Sequence, residues 1–453
     1  MKRIGAICLS LVMSLGVASV LAGCGKSGTV EEGATVITMY CQDFEDWNNS
    51  WMDSMKDSFN SILDDGIQLE IKYFQDEAYT DALKVARENN TAPDIFMTSY
   101  GNLYNDSIKT GYAAPLNELL EAKYFDDLLD NVKPMVSFQD KYYAYPQLME
   151  PSTLFFYRKD YFELANVQSA PKSWEELMAV CASVKSVLKK GQYTIGLPIG
   201  TALGWATYGM QYNTTGGVAL NDEWSEILVE DNDEWRALLE FFYDLYKGGY
   251  VPAGNVSAQG YNDIIEALCQ DKLAMTYAGS WSIAEIVNTY PEMMDKIGVA
   301  VIPTRSGDQG GVTATNGGWT FSISASSDEE HKQKAARVLE YFFCEDAART
   351  GSYFEAAHYS KAAVNKSVQS YLGENTDEDL KDWLTVVNTV SASAKPEPTY
   401  AWDISIAVST MFEYMAINCD KDKDTIIPQQ ISTCIDTIRT VMNRADWTTN
   451  PRL

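Results

Sequence analysis

Residues 36–98 alternate between two hydrophobic periods, and that alternation constrains the fold more than any other feature. Val36 to Tyr40 reads as a buried strand. Residues 50–64 place Trp51, Met55, Phe59 and Ile62 near helical spacing, and Ile67 to Tyr73 alternates with period two. Residues 77–90 read as helix again and Asp94 to Thr98 as strand. This β-α-β-α-β rhythm predicts an α/β domain with a largely parallel sheet. Sites in such sheets lie beyond the carboxyl ends of the strands, which directs attention to the loops after Tyr40 and Thr98.

A second block begins near Pro146. Ser173-Trp174-Glu175-Glu176 has the form of a capping box opening a helix to about Lys189. Residues 233–247 carry Trp235, Leu238, Leu239, Phe242, Leu245 and Tyr246 on one face, and Gly248-Gly249 stops the helix. Helix 261–270, strands Leu273–Tyr277 and Ile297–Ile302, and a second capping box at Ser327–Glu330 follow. The tail from about Ala401 is helical, with Ile427, Ile431, Ile435, Ile438 and Met442 forming an amphipathic face.

Before this body, Lys2 and Arg3 precede an uncharged apolar run from Ile4 to Leu21 that ends in Leu21-Ala22-Gly23-Cys24. The pattern predicts a secretory signal over 1–23 and lipid on the Cys24 thiol. Residues 24–35, rich in Gly, Ser and Glu, read as a flexible tether. The chain is then expected to sit outside the cytoplasmic membrane, held by lipid alone.

Charge and histidine count narrow the chemistry. With 35 basic against 63 acidic residues the formal charge is −28, a surface that repels phosphate backbones and argues against nucleic-acid partners. Two histidines, His331 and His358, leave little material for His-based metal sites or Ser/His/Asp and Cys/His catalysis. Asp43-Phe44-Glu45-Asp46 and Asp420-Lys421-Asp422-Lys423-Asp424 lack the glycine and terminal glutamate of an EF-hand loop and read as solvated. Neither a metal nor a cofactor is implied. Beyond Cys24, six scattered cysteines form no C-x-x-C and support no disulfide assignment.

Several strings now occur in order: Ala92-Pro93-Asp94-Ile95-Phe96; Gly111-Tyr112-Ala113-Ala114-Pro115-Leu116; Tyr142-Tyr143-Ala144-Tyr145-Pro146; Leu154-Phe155-Phe156-Tyr157-Arg158-Lys159-Asp160; Ala274-Met275-Thr276-Tyr277-Ala278-Gly279-Ser280-Trp281; Ile297 to Thr304; and Gly317-Gly318-Trp319. Behind a lipobox-like start, the set resembles the family 1 bacterial extracellular solute-binding proteins, the group that contains maltodextrin-binding proteins. Tyr157-Arg158 departs from the family's usual Tyr-Asn.

The resemblance implies a two-lobed, periplasmic-binding-protein-like α/β fold, each lobe a mostly parallel sheet flanked by helices. Crossings are expected near Pro146–Ser152, Pro303–Gly318 and Ala356–Val364. Residues 36–147 and 304–357 would then form lobe one, and 148–303 and 358–453 lobe two. It also implies a monomeric, non-enzymatic binding component of an ABC importer, closing on a carbohydrate and delivering it to membrane permease subunits. A secreted carbohydrate-active hydrolase and a binder of a non-sugar solute are the alternatives.

Sugar rings offer apolar C–H faces and hydroxyl rims, so a cleft for them mixes flat aromatic rings with carboxylates and amides. The resemblance implies that Trp281 corresponds to a family position that commonly stacks on sugar and that Trp402 matches a late aromatic of the family; core packing is the competing role for each. Glu150, at the first crossing, is a candidate carboxylate, or else a solvated hinge residue. Loop position alone puts forward Asp43, Glu45 and Trp47, more weakly Tyr100 and Asn102, and Trp205 in a Gly/Thr-rich loop. Trp319 reads as hinge packing that could leave a ring exposed. Trp174, Trp224, Trp235 and Trp383 read as structural.

Overall fold

The computed structural model describes residues 33–43, 45–62, 66–198, 206–252, 261–376 and 378–451. The expected signal over 1–23, Cys24, most of the tether, and Trp205 lie outside the described residues.

The alternation over 36–98 produces strands Thr35–Gln42, Ile67–Phe74 and Ile95–Ser99 with helices Asp46–Ile62 and Asp76–Glu88 between them. The first strand lies between the other two and parallel to both. Trp319–Ile323 and Tyr145–Pro146 complete a five-stranded sheet, each antiparallel to its neighbour. Trp51, Met55 and Phe59 bury the inner face of the first helix against it. The Trp51 indole N–H donates to Ser352 Oγ at 2.9 Å, tying this helix to Ala347–Ala356.

The second lobe is built on a four-stranded sheet in the order Ile297–Ala300, Leu154–Arg158, Leu273–Ala278, Tyr193–Gly196. Leu154–Arg158 is antiparallel to both neighbours, and only the last pair is parallel. This sheet is therefore mixed where a mostly parallel one was expected. The reversal has a topological cause: Leu154–Arg158 enters directly from the linking segment, without the crossover helix that a parallel pair requires. Period-two alternation shares this strand between two cores. Phe155 faces helices Trp174–Lys185, Asp233–Lys247 and Trp402–Ile417, whereas Leu154 and Phe156 face the opposite side. Arg158 is buried at the strand's end, where Asp160 (2.6 Å), Asp271 (2.6 Å) and the Leu268 carbonyl (3.0 Å) take up its guanidinium. The departure from Tyr-Asn thus forms a structural clamp.

Helix starts follow their caps. Ser173 Oγ accepts from Glu176 N at 3.1 Å, while the Glu176 carboxylate accepts from Lys172 N at 2.7 Å, one residue before the usual capping-box partner. The second capping box is corrected: Asp328, not Ser327, caps helix Glu329–Phe343 by accepting from His331 N. Ser327 is drawn off to donate to Asp94, which also binds the His331 ring.

A third, three-stranded sheet links the lobes. Glu150–Pro151 and Lys395–Pro396 flank Thr315–Gly317. Asn316 and Ser391 exchange hydrogen bonds of 2.8 and 3.0 Å, and Ser152 N donates to the Thr315 carbonyl at 2.8 Å. The segment expected to make the third crossing lies alongside, with Ala362 bridging Met149. Helix Lys366–Asn375, expected in lobe two, packs on Ala347–Ala356 of lobe one, and Glu378–Ser393 is the next element to reach the second sheet, at Ile297–Ala300. The cause is local: Asn365 bridges Leu128 of lobe one and holds the chain there.

No helix among the described residues is long and apolar enough to cross a membrane. The six cysteines from Cys41 onward are unpaired, four of them buried.

Candidate functional site

A cleft of about 750 Å³ opens between the lobes above the linking sheet. Lobe one contributes Gln42 and Ser99, at the carboxyl ends of two parallel strands, with Asn102 and Asn105 beyond them. Trp319 lies at the same edge because its antiparallel strand pairs it with Ser99. Lobe two contributes Trp281, just past the carboxyl end of Leu273–Ala278, and Trp402, the first residue of its helix. The floor is Glu150, Gly317, Gly318, Lys361 and Glu397.

Two glycines shape these walls. Gly318 has φ +137°, and a Cβ there would stand 2.3 Å from the Leu148 carbonyl oxygen and 2.8 Å from the Tyr100 ring. Only glycine allows the chain to pass so close before Trp319 turns to the cleft. At Gly279 a Cβ would lie 2.1–2.3 Å from atoms of the Trp281 indole. The ring therefore lies flat over its own loop, which Ser280 N fastens to the Pro151 carbonyl at 3.0 Å.

The floor concentrates charge. Lys361 Nζ, almost fully buried, pairs with Glu150 and stands 3.7 Å from Glu45 Oε1. Its ammonium is also 5.9 Å from the Trp47 ring centroid. Burying this cation is tolerable because two carboxylates and a ring face replace its water. Glu397 differs. Among the described residues it forms no ion pair, and burial together with the nearby Glu150 charge pushes its carboxyl up to about 7. At neutral pH it is thus part acid, able to donate, and part carboxylate.

Of the residues put forward from sequence, Trp281, Trp402, Glu150, Glu45, Asn102 and Trp319 line the cleft. Trp402 is the most open of the three rings, with 46% of its surface exposed. Trp47 stands behind the lining: its N–H donates to Glu45, and its ring meets Tyr353 with centroids 5.2 Å apart. Asp43 accepts from Asn49 and Gln75, both at 2.6 Å, and braces the start of the first helix. Tyr100 is buried beneath Gly318, and its hydroxyl donates to the Leu148 carbonyl at 3.0 Å. Lys361 and Glu397 were not foreseen. The Pro-Glu-Pro setting of Glu397, which stiffens the backbone around one acid, was the available signal. Of the tryptophans read as structural, Trp174, Trp235 and Trp383 are buried, Trp174 stacking on Phe241 at 4.2 Å.

Comparison with known proteins agrees with this architecture. The mannitol-binding protein of Pseudomonas aeruginosa is 26% identical over 236 residues, 50% of this chain and 51% of that protein. An ABC transporter extracellular-binding protein of Pyrococcus horikoshii is 24% identical over 289 residues, 60% of this chain and 66% of that one. The chain thus spans between about half and just under two thirds of these curated relatives. The GacH receptor of Streptomyces glaucescens superposes with a TM-score of 0.71 at 18% identity, over 92% of this chain and 100% of that structure. Maltose-bound MalE3 of T. maritima gives 0.69 at 18% identity, over 90% and 99%. At such identities the likeness establishes the two-lobed fold. The family profile for bacterial extracellular solute-binding proteins matches residues 44–348, and the chain belongs to that family.

Proposed function

We propose that this protein is the extracellular substrate-binding component of an ABC importer, that its cleft takes a carbohydrate, and that it is not an enzyme. The observation that carries the reading is the composition of the cleft. Trp281, Trp319 and Trp402 offer apolar faces, while Glu45, Glu150, Glu397 and Asn102 offer acceptors and donors for hydroxyls. A volume of about 750 Å³ suits a ligand of oligosaccharide size. The names of relatives support the class: a mannitol-binding protein in sequence, and maltose- and acarbose-bound receptors in structure.

In this reading ligand touches both lobes, favours the closed state and shifts a pre-existing equilibrium between open and closed forms. The closed form is presented to permease subunits, and energy comes from a separate ATPase. The protein acts as a monomer held at the outer face of the cytoplasmic membrane by lipid on Cys24. Lobe one comprises the segments up to about residue 147 and from about 318 to 375; the remainder forms lobe two.

A thermal-shift screen of mono- and oligosaccharides tests this, because a ligand that binds only the native state raises its stability. A saturable rise with one saccharide and no change in that saccharide is expected. Cleavage of it would turn the assignment to a hydrolase, and a response only to non-sugar solutes would overturn the carbohydrate reading.

A further inference from the structure

The charges on the cleft lining do not balance. Among the described residues the lining holds three carboxylates, Glu45, Glu150 and Glu397, and one cation, Lys361. That cation is already spent on two of them, Glu150 in direct contact and Glu45 at 3.7 Å. Glu397 is the acid left over. It flanks the same backbone as Glu150, since Gly317 pairs with Glu150 across the linking sheet and a Cβ on Gly317 would lie 3.1 Å from Glu397 Oε1. Lys361 also shows what this environment accepts: a primary ammonium between carboxylates, near a tryptophan face. Around Glu397 the arrangement recurs in part, with Glu150 beside it and Trp281 and Trp402 on the same lining, but without the ammonium.

We propose that the preferred ligand of the cleft is an amino-substituted sugar whose protonated amine pairs with Glu397, and that sugars bearing carboxylate, phosphate or sulfate are rejected. This rests on the carbohydrate reading above. The physical reason is complementarity: an ammonium at Glu397 would neutralise the unpaired carboxylate, whereas an anion would add to the negative charge the lining already carries. The groups around Glu397 are Glu150 with its partner Lys361 on the floor and the Tyr208 hydroxyl from lobe two; Asp140, Asp222 and Lys395 line a second cavity that Glu397 also borders, and Lys395 forms no ion pair with it. An amine bound there favours ionised Glu397, so amine affinity falls as pH drops through about 7.

The test is calorimetry on the intact protein with matched pairs: cellobiose against its diamine chitobiose, galactose against galactosamine, and glucose against glucosamine and glucuronate. At pH 7 at least one amine should bind roughly tenfold more tightly than its neutral partner. That ratio should shrink to within about threefold in the isosteric Glu397→Gln variant and in the wild type at pH 5.5. Glucuronate should not bind. Neutral members binding as well as the amines in every pair, or no amine binding at all, overturns the inference while leaving neutral-sugar recognition intact. Binding of a polyamine such as spermidine with no response to any sugar would overturn the carbohydrate reading itself.

Discussion

Glu150 on one outer strand of the linking sheet and Glu397 just past the other outer strand face one cleft, yet the protein treats them in opposite ways. Glu150 is locked to a buried lysine that also reaches Glu45, so its charge is balanced within the fold. Glu397, on the far side of Gly317, forms no ion pair among the described residues, and its carboxyl is pushed up to about 7. A balanced acid of this kind maintains the floor, whereas an unbalanced one is available to a ligand. The comparison separates residues that build the site from residues that read what enters it.

Removing the lysine should break the balanced side most severely. Lys361→Met leaves Glu150 and Glu45 facing each other without a counterion, and should cost about 3–5 kcal/mol in urea unfolding. Adding Glu150→Gln to that variant should recover part of the loss, because fewer unpaired charges remain. An unchanged midpoint in the single variant would show that the pair contributes nothing.

The unbalanced side should respond with the opposite sign. Glu397 binds a proton in the fold at pH values where the unfolded chain, with an ordinary carboxyl, does not. The contribution of Glu397 to stability without ligand therefore falls as pH rises from about 4.5 to about 7 and is level above that. Glu397→Gln should remove its share of this slope and gain roughly 1–3 kcal/mol at pH 8, leaving the share of Glu285, whose carboxyl burial likewise pushes up to about 7. Parallel pH profiles for variant and wild type would show that the acid is already satisfied.

The walls sharpen the contrast between building and reading. Trp281→Ala should weaken saccharide binding by roughly 1–3 kcal/mol in a variant that still unfolds cooperatively. Tyr100→Phe, which deletes only the hydrogen bond to the Leu148 carbonyl, should lower stability by about 1 kcal/mol with little effect on affinity. Calorimetry and denaturant titration on both variants check the pair, and an interchange of the two outcomes would reverse the roles assigned to them.

The same distinction explains what was legible in the sequence. The strands and helices of 35–99 were readable because each buries a full periodic face. Trp281 and Trp319 could be named because each ends an ordered string of residues, and Glu150 and Trp402 because the family resemblance puts forward their positions. Tyr100 shows the limit of arguing from strand ends: it follows the right strand, but its ring turns inward beneath Gly318. Lys361 lies in Ser360-Lys361-Ala362-Ala363, where nothing local signals that a lysine will be buried; its burial depends on acids more than 200 residues away. Glu397 had only its Pro-Glu-Pro setting as a signal, because two-residue strands carry no period and the linking sheet exists only as a tertiary arrangement. The reversed strand direction in the second sheet has the same origin.

The central claim is that a carbohydrate is held between rings carried on the lobe-two wall and the charged floor. Calorimetric titration of the Trp281→Ala/Trp402→Ala double variant, folded by circular dichroism, with the saccharide that most stabilises the wild type tests it most directly. The account predicts one-to-one binding in the wild type and a loss of at least about a hundredfold in the double variant. Wild-type affinity in the folded double variant would contradict it.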